Sequence, residues 1–193
     1  MTSKAKTVFA AAALALAAGT AQAAPVQWTA GSGGNGNWYE VIFGTSSLSW
    51  SSANALATSS TFLGVNGYLA SVTSAAEDAF LNTLNPNNVR AWLGGTDAAV
   101  EGVWEWTSGE AFTYTNWAGG EPNNLFNEDY LTGWWNGTNW NDLPDGTWRR
   151  YVTAYVVEYD VSVVPLPAGM PLILGALGML GLVGRRRKAR KAT

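Results

Sequence analysis

The 193-residue chain contains no cysteine and no histidine. The first absence excludes disulfides, so any fold must be held by packing and polar contacts alone. Together the two exclude Cys–His and Ser–His–Asp catalysis and the usual zinc sites. Positive charge is scarce as well. Eight of the 11 Lys and Arg residues lie near the two ends, which leaves only Arg90, Arg149 and Arg150 between 24 and 163. All 14 acids fall in that segment, giving it a formal charge of −11 where the whole chain has −3. So acidic a segment repels nucleic acid and anionic lipid, and it suits cations.

Both ends read as address labels. Lys4 and Lys6 precede an apolar run that closes on Ala21-Gln22-Ala23, the small-x-small pattern of a signal peptide spanning 1–23. At the other end, prolines precede an apolar run at 168–184, followed by Arg185, Arg186, Arg187, Lys188, Arg190 and Lys191. The run has 17 residues, the short end of a membrane span, and the basic tail at 185–193 would stay in the cytoplasm. The order Val164-Pro165-Leu166-Pro167-Ala168-Gly169, apolar run, arginine cluster resembles the PEP-CTERM bacterial sorting signals in their VPLPA form. That resemblance implies an exosortase-type partner, passage through the inner membrane, and delivery to the cell surface or an extracellular polysaccharide matrix. A plain C-terminal anchor would explain the run and the basic tail, but not the proline motif.

The remaining 140 or so residues suffice for one domain. All 11 tryptophans lie there, so large rings must supply much of the core. Residues 24–37 end in AGSGGNGN and read as a flexible lead-in to a domain at 38–160, with a linker at 161–167. WYEVIF at 38–43 and GYLASV at 67–72 read as strands. Trp50, Ala53 and Ala57 have helical spacing. Ser74-x-x-Glu77 is a capping box, and with Phe80, Leu81 and Leu84 behind it predicts a helix at 75–84. Short strands then follow at 91–95 and 103–107, and Asn136-Gly137 marks a turn. A last strand lies within 151–160, where Val152, Ala154 and Val156 alternate. Two helices followed by short strands make an α+β fold. The long polar stretch at 108–130 has the length of a binding loop.

Within it, EPNNLFNEDY at 121–130 holds three acids and three asparagines, and Trp140-Asn141-Asp142 follows. Carboxylates and amide carbonyls at this density are the hard oxygen ligands that calcium takes, six to eight at a time. The landmarks AWLGGTD, EGVWEWTSGEAFTYTNW, EPN, NEDY, WND and YVVEY come in an order that resembles the C-type lectin-like domain from about Trp38 to Tyr159.

The resemblance implies two helices packed on short antiparallel sheets with a long calcium-binding loop. It implies a principal calcium site at Glu121, Asn123, Glu128, Asn141 and Asp142, with a cis peptide before Pro122. A second site at Asp97, Glu101, Asn124, Glu128 and Asp129 would be weaker, since Asn124 stands where an acid is often found. Sugar hydroxyls would bind the metal and also meet Glu121, Asn123, Glu128 and Asn141, each hydroxyl donating to a carboxylate and accepting from an amide NH₂. The EPN triplet implies mannose-type diols. Tyr130 and Val157 occupy positions where the family usually has cysteine, so the loop lacks its usual staple. Trp92, Trp104, Trp106, Trp117 and Trp140 read as core, while Trp134 and Trp135 could be either core or platform.

The first functional reading is thus a calcium-dependent carbohydrate-binding protein, not an enzyme, with an exopolysaccharide or surface glycan as partner. The alternative is a calcium-stabilised adhesive protein that binds other proteins. A glycosidase would need a carboxylate pair such as Glu121 and Glu128 with one pKa raised, whereas here the acids are destined for one metal.

Overall fold

The structure of the protein, a computed structural model, describes residues 24–146 and 152–161. The signal segment 1–23, the sorting motif 164–169, the apolar run 168–184 and the basic tail 185–193 lie outside the described residues. Among the described residues, no helix is long and apolar enough to cross a membrane.

The elements in chain order are β1 (Val26–Gln27), a 3₁₀ turn (Ala30–Ser32), β2 (Trp38–Phe43), α1 (Trp50–Ser59), β3 (Thr61–Phe62), β4 (Val65–Asn66), β5 (Tyr68–Leu69), α2 (Ala75–Leu84), β6 (Ala91–Thr96), β7 (Glu105–Trp106), β8 (Tyr130–Gly133), β9 (Asn141–Leu143) and β10 (Ala154–Tyr159). The main sheet runs β1-β2-β10-β6-β8-β9, with β5 on β10 and β7 on β6. It is antiparallel except where β10 runs parallel to β6.

β10 lies mid-sheet, so all six of its residues are buried. Its side chains alternate between two core clusters. Ala154 and Val156 join Leu81, Leu93 and Trp106, while Tyr155, Val157 and Tyr159 join Trp50, Ala53, Ala57 and Trp92. Val152 packs with the second cluster, contrary to the alternation with Ala154 and Val156, because it precedes the strand and escapes its two-residue period.

Two further expectations are corrected. Residues 24–37 are not a flexible lead-in. β1 pairs with β2, and Trp28 is buried with its ring stacked 5.7 Å from Phe80. The glycines that suggested flexibility form turns, and Gly34 sits where a Cβ would lie 2.2 Å from the Trp28 carbonyl oxygen. The capping box is also only half made. Ser74 accepts from the Glu77 amide, but Glu77 turns inward and accepts from the Thr73 amide (2.7 Å) and hydroxyl (2.8 Å).

Glu77 belongs to a buried polar network that joins α2 to the sheet. The Tyr39 hydroxyl lies 2.5 Å from Glu77 Oε1 and 3.0 Å from Glu158 Oε1, and it accepts from Asn35 Nδ2 (2.7 Å). Glu158 accepts further from Asn37 Nδ2 (2.7 Å) and the Ser71 amide (3.1 Å). Tyr130, at one cysteine position of the resemblance, stacks on Trp50 at 4.5 Å, and the Trp50 indole donates to the Leu93 carbonyl (2.8 Å).

Candidate functional site

The stretch between β7 and β8 has no regular structure, yet it is tightly held. Its rings, Phe112, Tyr114 and Trp117, pack against Trp104, Trp106 and Trp140 with centroids 4.8–6.4 Å apart. This agrees with the reading of those tryptophans as core, although Trp104 and Trp117 are only partly buried. Trp134 is core as well, donating its indole N–H to Asn82 Oδ1 (2.8 Å). Trp135 is half-buried beneath the Arg90 guanidinium, 4.1 Å from the ring centre.

Two arms carry the candidate ligands. The first, 116–124, leaves the aromatic cluster and turns at Gly120, whose φ of +94° suits glycine. The Glu121–Pro122 peptide is cis. The second arm leads through Trp140 into β9, where Asn141 and Asp142 are buried. Asp142 joins the arms: its carboxylate accepts from the amides of Asn123 (3.2 Å) and Asn124 (2.7 Å). The Leu125 amide donates both to Asn123 Oδ1 (2.8 Å) and to Glu128 Oε2 (3.2 Å), which brings these two oxygens together. Asn123 Nδ2 donates to Glu121 Oε2. Glu121, Asn123, Glu128 and Asp142 therefore form one linked group.

Asn141 adjoins the group through the chain. Its Nδ2 donates to the Asp142 carbonyl (2.5 Å), while its Oδ1 is buried with no hydrogen-bond partner. A buried carbonyl without a partner is costly, and a cation would satisfy it. Burial and the adjacent negative charge of Asp142 push the Glu121 carboxyl above the usual carboxylate range. A bound divalent cation would reverse that pressure. This mixture of carboxylate and amide oxygens fits calcium, and Glu121, Asn123, Glu128, Asn141 and Asp142 are the residues that could hold it. Among the described residues, no group of three or more acids is placed to hold a metal ion by itself.

The second group is brought together only in part. Asp97, at the end of β6, accepts from the Gly102 amide through Oδ2 (2.9 Å), and its Oδ1 is buried without a partner. Burial raises the Asp97 carboxyl, and Asp129 and Asp142 raise it further. Loss of solvation, and then the charges of Asp97 and Asp129, shift the Glu101 carboxyl upward too. Asn124 and Glu128 instead bond to each other, amide of 128 to Oδ1 of 124 (2.7 Å), on the side of the first group.

The sequence reading missed Asp78. Asp78, which no motif singled out, is buried and accepts from Tyr114 and Asn116 of the loop. No spacing rule reveals a partner 36 or more residues away.

Residues 46–152 match the Lectin C-type domain family. The chain is 32% identical over 141 residues to halomucin of Haloquadratum walsbyi, covering 65% of this chain and 1% of that one. It is 38% identical over 90 residues to ladderlectin of Oncorhynchus mykiss, covering 44% of this chain and 46% of that protein. The chain thus spans less than half the length of these relatives. Among solved structures, an EPNH variant of CEL-I superposes with a TM-score of 0.55 at 31% identity, over 64% of this chain and 89% of that one.

Proposed function

The chain belongs to the C-type lectin domain family, and from that premise we propose that it is a calcium-dependent carbohydrate-binding protein. One observation carries the reading: Asp142 of the second arm clamps the backbone of Asn123 and Asn124 in the first, gathering Glu121, Asn123 and Glu128 around it. Calcium would be held by these residues with Asn141, and it would supply the charge that binds two sugar hydroxyls. Around the metal, Glu121 and Glu128 accept from those hydroxyls, and the Asn123 and Asn141 amides donate to them. The EPN triplet supports mannose-type diols. The linked acids support a metal-holding role over hydrolysis. The signal segment and tail support export to the cell surface or a polysaccharide matrix, with the apolar run at 168–184 as membrane anchor or sorting intermediate.

A second reading, calcium-stabilised adhesion to protein, is favoured by Leu125 and Phe126, which stand 49% and 74% exposed beside the ligands. Retention on immobilised mannose-type glycans separates the two. The parent protein should be held with calcium and released by chelator, and Asn123→Ala should lose retention. Calcium uptake with no retention on any glycan would leave only the adhesive reading.

A further inference from the structure

We propose that Asp78 is a positioning residue for the calcium site, holding from α2 both loop arms that carry the ligands. The inference rests on the reading of that site given above. Asp78 is buried in the first turn of α2. Its neighbour Glu77 is tied to Tyr39 of β2 and to Thr73, so this turn of the helix is itself fixed to the sheet.

Donors from the loop converge on Asp78, and through Asn116 they reach both arms. Asn116 Nδ2 of the first arm (2.7 Å) and the hydroxyl of Tyr114, two residues ahead of that arm (3.2 Å), reach the same oxygen, Oδ2. The Trp140 indole of the second arm lies close enough to hold the Asp78 carboxyl down against the rise that burial causes. Asn116 also bridges the arms directly. Its Nδ2 donates to the Thr138 carbonyl (3.0 Å), and its Oδ1 accepts from Asn139 Nδ2 (2.9 Å). The backbones are joined beside it, with the Trp140 amide donating to the Asn116 carbonyl and the Ala118 amide to the Trp140 carbonyl, both at 2.8 Å.

From this junction the ligands are one step away. The Glu121 amide donates to the Ala118 carbonyl (3.0 Å), and Asn141 and Asp142 directly follow Trp140. In a chain without disulfides, the Asp78 carboxylate thus sets the separation of Glu121–Asn123 from Asn141–Asp142. Calcium binding needs that separation, because its oxygens must converge on one point. Removing an acceptor that serves several donors leaves those donors without their partner, at a cost.

The test is calcium titration of the full-length chain, with amide hydrogen exchange measured in chelator. Asp78→Ala should weaken calcium binding about tenfold, the scale of one lost charge-assisted hydrogen bond. The Asn123 and Asn124 amides, which donate to Asp142, should exchange faster, while β2 and β10 keep their protection. Asn116→Asp sets a second carboxylate against Asp78 and should reproduce the loss. Adding Asp78→Asn to that variant restores one donor facing one acceptor and should recover most of the affinity. The proposal is overturned if the single variants lower only the melting temperature, with calcium affinity within about twofold of the parent. It is equally overturned if the double variant recovers nothing. Should the parent itself take up no calcium, the reading of the site fails, and the Asn123 and Asn124 exchange rates decide: unchanged rates refute the positioning role as well.

Discussion

Glu158 is fully buried, and its nearest hydroxyl is already engaged. Tyr39 has one hydroxyl proton, and two carboxylate oxygens lie within 3.0 Å of it. Tyr39 can donate to only one of them, so both acids bond to this hydroxyl only if one of them carries a proton and donates to the Tyr39 oxygen. Glu77 has two donors from Thr73, whereas burial, with the Glu77 and Glu110 charges, pushes Glu158 up to about 8 against the bonds from Asn37 and Ser71. The folded chain therefore keeps this proton at pH values where the unfolded chain, with a carboxyl near 4.5, has released it. Its contribution to stability is fully present below about 4.5 and is lost as pH rises to about 8. Thermal melts in chelator should show the melting temperature falling across that window. Glu158→Gln, which is neutral throughout, should flatten the fall, and a parallel decline in both proteins would remove Glu158 as the cause.

At the scale of elements, the close approach of β5 and β6 shows what fixes the sheet beneath the loop. The Gly94 amide donates to the Ala70 carbonyl (2.9 Å), and a Cβ on Gly94 would lie 2.4 Å from the Leu69 carbonyl oxygen. Backbone cannot yield as a flexible side chain can. Gly94→Ala should cost about 1–3 kcal/mol, read as a lower denaturant midpoint. An unchanged midpoint would show that β5 is free to move. Elements were also where the sequence was most legible. α2 at 75–84 and β2 at 38–43 have the predicted bounds, because each has a strong local period or cap. The strands predicted at 67–72 and 103–107 shrink to two residues each, because strand length depends on partners distant in sequence. The same limit hid the inward turn of Glu77, the burial of Glu158 and the reach of Asp78.

For the whole molecule, −11 of formal charge between 24 and 163 is the dominant fact, and the fold distributes it unevenly. Glu77 and Glu158 are satisfied by donors within the core, and Asp78 by the loop it holds. Glu121, Glu128 and Asp142 gather where the two arms meet, and Asp97 with Asp129 stands nearby, so five acids collect around that junction. The residue types of that junction were legible in EPN, NED and WND. Its convergence was legible only through the family resemblance, because Asp142 meets Asn123 and Asn124, 18 or 19 residues away in the chain, beyond β8.

The measurement that reaches this account most directly is a calorimetric calcium titration of the full-length chain beside Asp142→Ala. Saturable binding is predicted for the parent, with a dissociation constant on the order of 10⁻⁴–10⁻³ M, as in extracellular modules. The substitution removes the carboxylate that joins the arms and should abolish the binding. A parent that shows no saturable calcium uptake, or a variant that binds as tightly, would contradict the claim that these two arms form one calcium site.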